Sequence, residues 1–474
     1  MSGLFHTLNV GSEALHATRQ GVDTAGHNIA NAQTEGFSRQ RVNIKQRDPL
    51  FIHGSLIGNG VYVGGIERSH DKFIERQLNK AHQDAGRANA RAAGLRNIEN
   101  IFSPELNASV ADEVTKFFGA FESLANFPED FVVRTSVVES AKDLAAAFRR
   151  VDSDLSGNQA AVNEHIGQIT GELTDKLKEI STLNVKIQVA EAGEGQQAND
   201  LRDQRDKLLR EVSSQIEVSY YEDQHGMLMM RGPDQVTLVD GAHSAIVGVA
   251  KDPNNDGLFA IHITDWEGHS NRDVTHRMDG GALHALITLR DEDLPALMAR
   301  NDHMAYRFSE SFNSIHREGF GLRDYAEKTG RNFFKQPVGE KGAAAIMELD
   351  DCIVESNDAV AAGSSPLAPG DNVNINRLLK LKDAKIYGDS AVTANEFYAN
   401  YAGALGLDVL RASHLEEASD LQLQDLNQRR EAVSGVSLDE EATNMMKWQA
   451  NFTASSKVIT TVDEMLDTVL SLKR

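Results

Sequence analysis

Residues 435–474 read GVSLDEEATNMMKWQANFTASSKVITTVDEMLDTVLSLKR. Stepping by three and four residues from Met445 lands on Trp448, Phe452, Ser455, Ile459, Val462, Leu466 and Val469, so one narrow stripe is almost wholly apolar. The other faces carry Asp439, Glu440, Asn444, Lys447, Asn451, Lys457, Asp463 and Asp467. Ser437 and Glu440 have the spacing of a capping box, acids crowd the first turn, and Lys473 and Arg474 close the last, all of which suit the helix dipole. The stretch predicts one helix with one adhesive seam. Burying such side chains stabilises by roughly 1.5–3 kcal/mol each, and a lone helix has nothing to bury them against. Either the chain supplies a partner or another copy does.

A candidate partner stands at the opposite end of the sequence. The same stepping from Leu4 gives Leu8, Gly11, Leu15, Thr18, Val22, Ala25 and Ile29, and the run NAQTEG at residues 31–36 ends the pattern. Both ends therefore read as heptad helices. The plainer alternative is that each packs separately on a globular core.

Composition bounds the rest. A chain of 474 residues is long enough for two to four domains. Its net charge of −22 and low aromatic content argue against a nucleic-acid surface, which needs net basic patches. The single cysteine, Cys352, excludes an intrachain disulfide framework and a cysteine-based zinc cluster, and reads as a small apolar residue. The first ten residues lack the features of a secretory signal, and no apolar run approaches the roughly 20 residues that span a bilayer. The expectation is a protein that stays inside or leaves by a route that does not use that signal, with no membrane insertion.

Between the two ends the period changes several times. Residues 37–68 alternate at Val42 with Ile44 and at Val61 with Val63 and carry five glycines in their second half, which predicts an extended, hairpin-like arm. Its basic run, Arg39, Arg41, Lys45 and Arg47, reads either as a solvated strand face or as a site that docks on the acidic surface of a neighbour. From about residue 71 to 214 the pattern is helical. Its main element starts near Val133 and carries Val137, Leu144, Phe148, Leu155, Asn158, Val162, His165, Ile169, Lys176 and Ile187 along one seam, a rod of about 80 Å if continuous. Residues 215–276 switch to period two and predict five short strands, at 216–221, 227–230, 235–239, 244–250 and 258–264. Helix returns over residues 281–319 and again from about 394 to 433, while residues 320–375 are loop-rich and are attached to the β region.

The expected fold class is α+β, a long antiparallel helical rod built from both chain ends with an inserted small antiparallel β domain. The expected division is a terminal coiled-coil domain with the arm (1–70 and 435–474), a helical stalk (71–214, 281–319 and 376–434) and an outer β-rich domain (215–280 and 320–375).

Signs of chemistry are weak. Residues 252–257, DPNNDG, match the first half of a calcium loop, but the position that needs a bidentate glutamate is Ile263, so a turn is the expected reading. The histidines lack the spacing of metal ligands, and GNGVYVGG at residues 58–65 has no following amphipathic helix of the dinucleotide-binding kind. No G-x-S-x-G and no phosphate-binding loop occurs. No enzyme activity, cofactor or metal is expected.

The segment GHNIANAQTEGFSRQRV at residues 26–42 resembles the amino-terminal signature of bacterial flagellar axial proteins, and residues 437–472 resemble their carboxy-terminal one. Asn28, Asn31, Gly36, Arg39 and Gln40 carry the first motif. SRQRV just after the glycine, ANDLRDQRDKLL at residues 198–209 and RREAVSGVSLDEE at residues 429–441 are similar to the flagellar hook-associated protein 1 family. Glu35 departs from the family, where many members have proline.

The resemblance implies a structural subunit at the junction between hook and filament, exported unfolded through the type III channel and located outside the cell. It implies a cytoplasmic export chaperone on the C-terminal helix, pairing of the end helices into an inner tube, and a homo-oligomeric ring of about eleven copies. Neighbours would be the hook protein and a second junction protein or filament subunits. The assembly interface is then Leu4, Leu8, Leu15, Val22 and Ile29 with Met445, Trp448, Phe452, Ile459, Val462, Leu466 and Val469. Another axial subunit, of hook or distal rod, is the alternative, and a secreted enzyme on an axial scaffold a third.

Overall fold

The structure is a computed structural model that describes residues 2–52, 55–103, 109–193, 196–387 and 392–471. Lys473 and Arg474 lie outside the described residues. The two ends of the chain come together: α1 (Ser2–Ala30) lies antiparallel to α11 (Leu438–Ser471) along most of its length. Between them the arm leaves α1 through a turn at residues 31–36. The chain reverses there on Gly36, whose φ of +86° lies in the left-handed region that glycine tolerates at no steric cost. In the arm, β1 (Gln40–Gln46) pairs antiparallel with β4 (Val61–Arg68), and a small hairpin, β2 (Leu50–Ile52) with β3 (Ser55–Ile57), projects between them.

Asp71 then caps α2 (Lys72–Phe102) by accepting from the Phe73 and Ile74 amides. This helix pairs along its length with α10 (Ala394–Ser434), which starts on a complete capping box of Thr393 and Glu396. Beside them stand α3 (Val110–Asn126), α4 (Phe131–Ala190) and α5 (Asn199–Gln215). At 60 residues α4 is one unbroken rod, about 90 Å long at the rise of an ideal helix.

Two cores lie along that rod. The first half of α4 packs with α3, α10 and α7 (Leu294–His316) around a block of phenylalanines that includes Phe117, Phe148, Phe312 and Phe333. Residues 320–375 belong to this core and not to the β region, which corrects the expected division. Phe334, Met347, Ile353 and Ile375 are buried in the helical cluster, and the segment forms only short helices, α8 (Asp351–Glu355) and α9 (Val373–Leu379), with isolated bridges.

The second half of α4 supports the β region. Ile166, Leu173 and Ile180 pack under a four-stranded sheet, β5 (Ser219–Glu222), β6 (Leu228–Arg231), β7 (Thr237–Asp240) and β8 (His243–Ser244), in that order. A three-stranded sheet of β9 (Ile246–Lys251), β10 (Phe259–Thr264) and β11 (Asn271–Asp273) shares the same core, with β10 central. The β region is therefore bound to the rod by a common apolar cluster. The DPNNDG stretch is the turn from β9 to β10, with the Asp252 carboxylate accepting from the Asn254 amide at 2.9 Å.

The seam of α4 departs from the expected one at mid-helix. His165 faces solvent, and Asn163 and Ile166 take the inward positions, because strict three-and-four stepping drifts from the true helical repeat over so long an element. Asn163 accepts from the Phe259 amide at 2.8 Å and from the buried Arg290 guanidinium at 2.9 Å, which ties both cores to the rod.

The helix expected over 281–319 is interrupted. α6 (Gly281–Thr288) passes through a π segment, Leu289–Asp293, before α7 begins. Pro295, in the first turn of α7, has no amide to donate, which loosens the ladder there.

Candidate assembly interface

The pairing of the two end helices depends on small residues in α1. A Cβ at Gly21 would fall 2.4 Å from the Trp448 indole, one at Gly11 2.9 Å from Ile459, and one at Gly26 3.9 Å from Met445. These three contacts fix one antiparallel register. At Gly21 and Gly11 large residues of α11 enter notches that a Cβ would close, while at Gly26 the contact is ordinary packing.

The stripe on α11 is wider than α1 can cover. Val462 is buried, whereas Met445, Trp448, Ile459 and Leu466 are half-buried and Phe452 and Val469 are exposed at 43% and 40%. On α1, Leu4, Leu8, Leu15, Val22 and Ile29 are all half-buried. Val458 and Met465, which sequence reasoning passed over, add an exposed apolar edge along one flank of the seam of α11, while Leu470 is exposed on the other flank and Met446 on the far side. Val458 and Met465 precede Ile459 and Leu466 by one position, so they flank the seam, and that neighbourhood was the only signal available.

A polar clasp closes the other end of the pair. Glu441 is buried, although it sits on a largely exposed helix. Its carboxylate accepts from Arg39 Nε at 2.8 Å and from Asn28 Nδ2 at 3.0 Å. Asn28 also bridges to the arm, donating to the Gln40 carbonyl at 2.9 Å and accepting from the Gln40 amide at 3.0 Å. One asparagine thereby mimics a strand partner for β1 while reaching α11. Burial acts to discharge Arg39, and Glu440 and Glu441 outweigh it, so the guanidinium is held above its ordinary pKa.

The capping box at the start of α11 is half present. The Glu440 amide reaches Ser437 Oγ at 3.5 Å, but the Glu440 carboxylate turns to Arg39 at 2.7 Å instead of returning to Ser437. The charge on Arg39 is the stronger partner.

The remaining motif residues connect the arm to the stalk. Gln40 donates to Asp200 at 2.6 Å, the Ser38 amide to Asp203 at 2.7 Å, and the Arg39 amide to the Ser434 carbonyl at 2.8 Å. Arg430 donates to the Gly36 carbonyl at 2.9 Å and to Glu75, which also accepts from Arg210. Arg68 spans Asp203 and Asp206 at 2.8 and 2.7 Å. The stretches 26–42, 198–209 and 429–441, far apart in sequence, thus meet at one point. Asn31 stays apart from α11: it donates back to the His27 carbonyl at 3.1 Å and ends α1.

The basic run of the arm divides between contacts within the chain and an exposed strand face. Arg39 is consumed inside the chain, and Arg47 pairs with Glu13 of α1 at 2.8 Å. Arg41 and Lys45 are exposed and make no ion pair among the described residues. Among the described residues no group of three metal-ligating side chains converges, and no helix is long and apolar enough to cross a membrane.

Three family models match the chain. One described as the helical domain of the flagellar hook-associated protein FlgK covers residues 95–334, one for the flagella basal body rod protein covers residues 8–37, and one for the C-terminal part of the flagellar basal body rod FlgEFG proteins covers residues 428–472. The chain is similar to flagellar hook-associated protein 1 of Bacillus subtilis (strain 168), 26% identical with 99% of each chain covered. It is 24% identical to that of Salmonella typhimurium, with 98% of this chain and 99% of the relative covered. Among solved structures, the flagellar hook junction protein FlgK from Burkholderia pseudomallei matches in fold with a TM-score of 0.66 at 15% identity, over 76% of this chain and all of that one.

Proposed function

Because the chain belongs to the flagellar hook-associated protein FlgK family, found at the junction of hook and filament, we propose that copies of it assemble there through the paired end helices. The observation that carries this reading is the width of the apolar stripe on α11. With Phe452, Val469, Val458 and Met465 exposed on or beside a seam already occupied by α1, the helix retains surface that only other chains can cover. Repeated use of unlike faces produces a ring or an open helical array, not a closed dimer, and the resemblance to the family puts the ring at about eleven copies.

Further parts of the reading come from the resemblance. The chain leaves the cell unfolded through the type III channel, a cytoplasmic chaperone covers α11 before export, and the assembled ring meets hook protein on one side and a second junction protein or filament subunits on the other. The protein acts mechanically and catalyses nothing. Deletion tests the reading: hooks that remain intact while filament subunits are shed support it. Loss of the hooks themselves would favour a hook or distal rod subunit.

A further inference from the structure

The β2–β3 hairpin is an apolar finger with no cover in its own chain. Phe51 and Leu56 stand directly opposite each other in its register, hence on one face, and are 73% and 70% exposed. Leu50 and Ile57, opposite each other on the other face, are also exposed. A two-stranded hairpin of this length is marginal in water, and four large apolar side chains at its surface call for a partner.

The same terminal layer contains a cleft of about 750 Å³ between β1 and the start of α11, with α1 as its floor. Val42 and Trp448 supply the apolar part of an otherwise polar lining. Of its three acids, Glu440 and Glu441 are held by Arg39 and Asp439 makes no ion pair among the described residues, while Arg41 and Lys447 line it without an ion-pair partner among those residues. The finger carries a matching charge at its base, Asp48, which also makes no ion pair among the described residues.

Finger and cleft of one chain cannot meet. The base of the finger is tied to the start of α1, where His6 contacts the Gly58 carbonyl at 3.1 Å and Val10 packs on Gly60. The cleft floor begins at Gly21, about 16 to 22 Å further along the helix, and strands of three residues reach only about 10 Å. A second copy displaced along the same axis brings the two together. We infer that the cleft between β1 and α11 receives the β2–β3 finger of a second copy of this chain, with Phe51 and Leu56 against Trp448 and Val42 and Asp48 near Arg41 and Lys447. A convex and a concave patch at different heights on one subunit make a head-to-tail contact, which propagates.

The inference rests on the reading that copies assemble, and the test separates the two. Full-length chains with Cys352→Ala receive Leu56→Cys and Asn451→Cys, singly and together, and intact flagella are oxidised. The expected result is a covalent dimer of this chain from the double variant alone, and none from Leu56→Cys combined with Leu421→Cys on the distant α10. A variant with Phe51→Ser and Leu56→Ser, whose side chains are at the surface and not in either core, is expected to enter the junction roughly ten-fold less efficiently. Normal incorporation without the dimer, or a dimer with a different protein, overturns the finger-and-cleft contact and leaves assembly standing. Absence of the unmodified chain from the junction removes the reading beneath it as well.

Discussion

Trp448 lies across Gly21, so close that a methyl group on the glycine would sit 2.4 Å from the indole. Alanine at position 21 would favour the helix by about 1 kcal/mol in isolation, while forcing a rigid ring out of a packed site costs about 1–3 kcal/mol. Gly21→Ala is therefore expected to weaken the pairing of α1 with α11. Trp448 fluorescence in a Trp266→Phe background checks this by a red shift of the emission, and adding Trp448→Leu to Gly21→Ala is expected to recover part of the lost pairing, read as renewed protection of residues 438–471 in hydrogen exchange.

Removing the Glu441 carboxylate leaves Arg39 partly buried with Glu440 as its one remaining acid and deprives Asn28 of its contact with α11. Glu441→Ala is expected to cost the clasp about 2–4 kcal/mol. Hydrogen exchange should accelerate over residues 438–471 in the single chain, with the two cores of the rod unchanged. Equal loss of protection in α3 and α4 would contradict a local role.

His316 is fully buried in the phenylalanine core, with its Nδ1–H on the Arg331 carbonyl and its Nε2 accepting from the Ala361 amide at 2.9 Å. Burial holds it neutral and pushes its pKa down to about 3. Between that value and its unfolded value of about 6.5 only the unfolded chain binds the proton, so this residue's contribution is complete above about pH 6.5 and is lost as pH falls. The stability of the phenylalanine core is expected to fall by about 2 kcal/mol between about pH 7 and about pH 5 through this residue. His316→Gln, which keeps one donor and one acceptor, should flatten that slope.

The two seam positions Ile459 and Phe452 should behave differently. Ile459 fills the notch at Gly11, so Ile459→Asp is expected to open the helix pair within one chain. Phe452 is exposed, so Phe452→Asp should leave the monomer's stability within about 0.5 kcal/mol of the parent yet abolish entry into the junction. Circular dichroism of the monomer and motility of the strain measure the two effects, and normal motility from Phe452→Asp would contradict the assembly reading.

The long periodic elements are legible because their pattern repeats many times: α11, α1 and most of α4 follow from apolar spacing, and β5, β6, β7, β9 and β10 from alternation, whereas the short polar strand β11 (Asn271–Asp273) has no apolar alternation to mark it. The clasp was not. Asn28 and Glu441 are 413 positions apart, and no local rule links an asparagine at the end of one helix with a glutamate at the start of another. The place of residues 320–375 in the phenylalanine core is not legible, because short apolar runs between turns show that they are buried without showing against what. The break at Leu289–Asp293 was carried by Pro295, a signal present in the sequence but set inside an otherwise strong helical period. The split of the α11 stripe into covered and open parts depends on the glycine notches of α1, which a hydrophobic pattern records only as gaps.

The attachment of Gly36 and Arg39 to Arg430 and Ser434 has a consequence for the order of folding. Taken as a bare polymer, bringing the first helix to the last means closing a loop of some four hundred residues. Once the central rod has formed, its two exits already stand side by side, and the search shrinks to a few linker residues on each strand. The ends are then held at a high effective concentration that they do not have in the unfolded chain. A protein built this way finishes at its tips, after everything between them is in place.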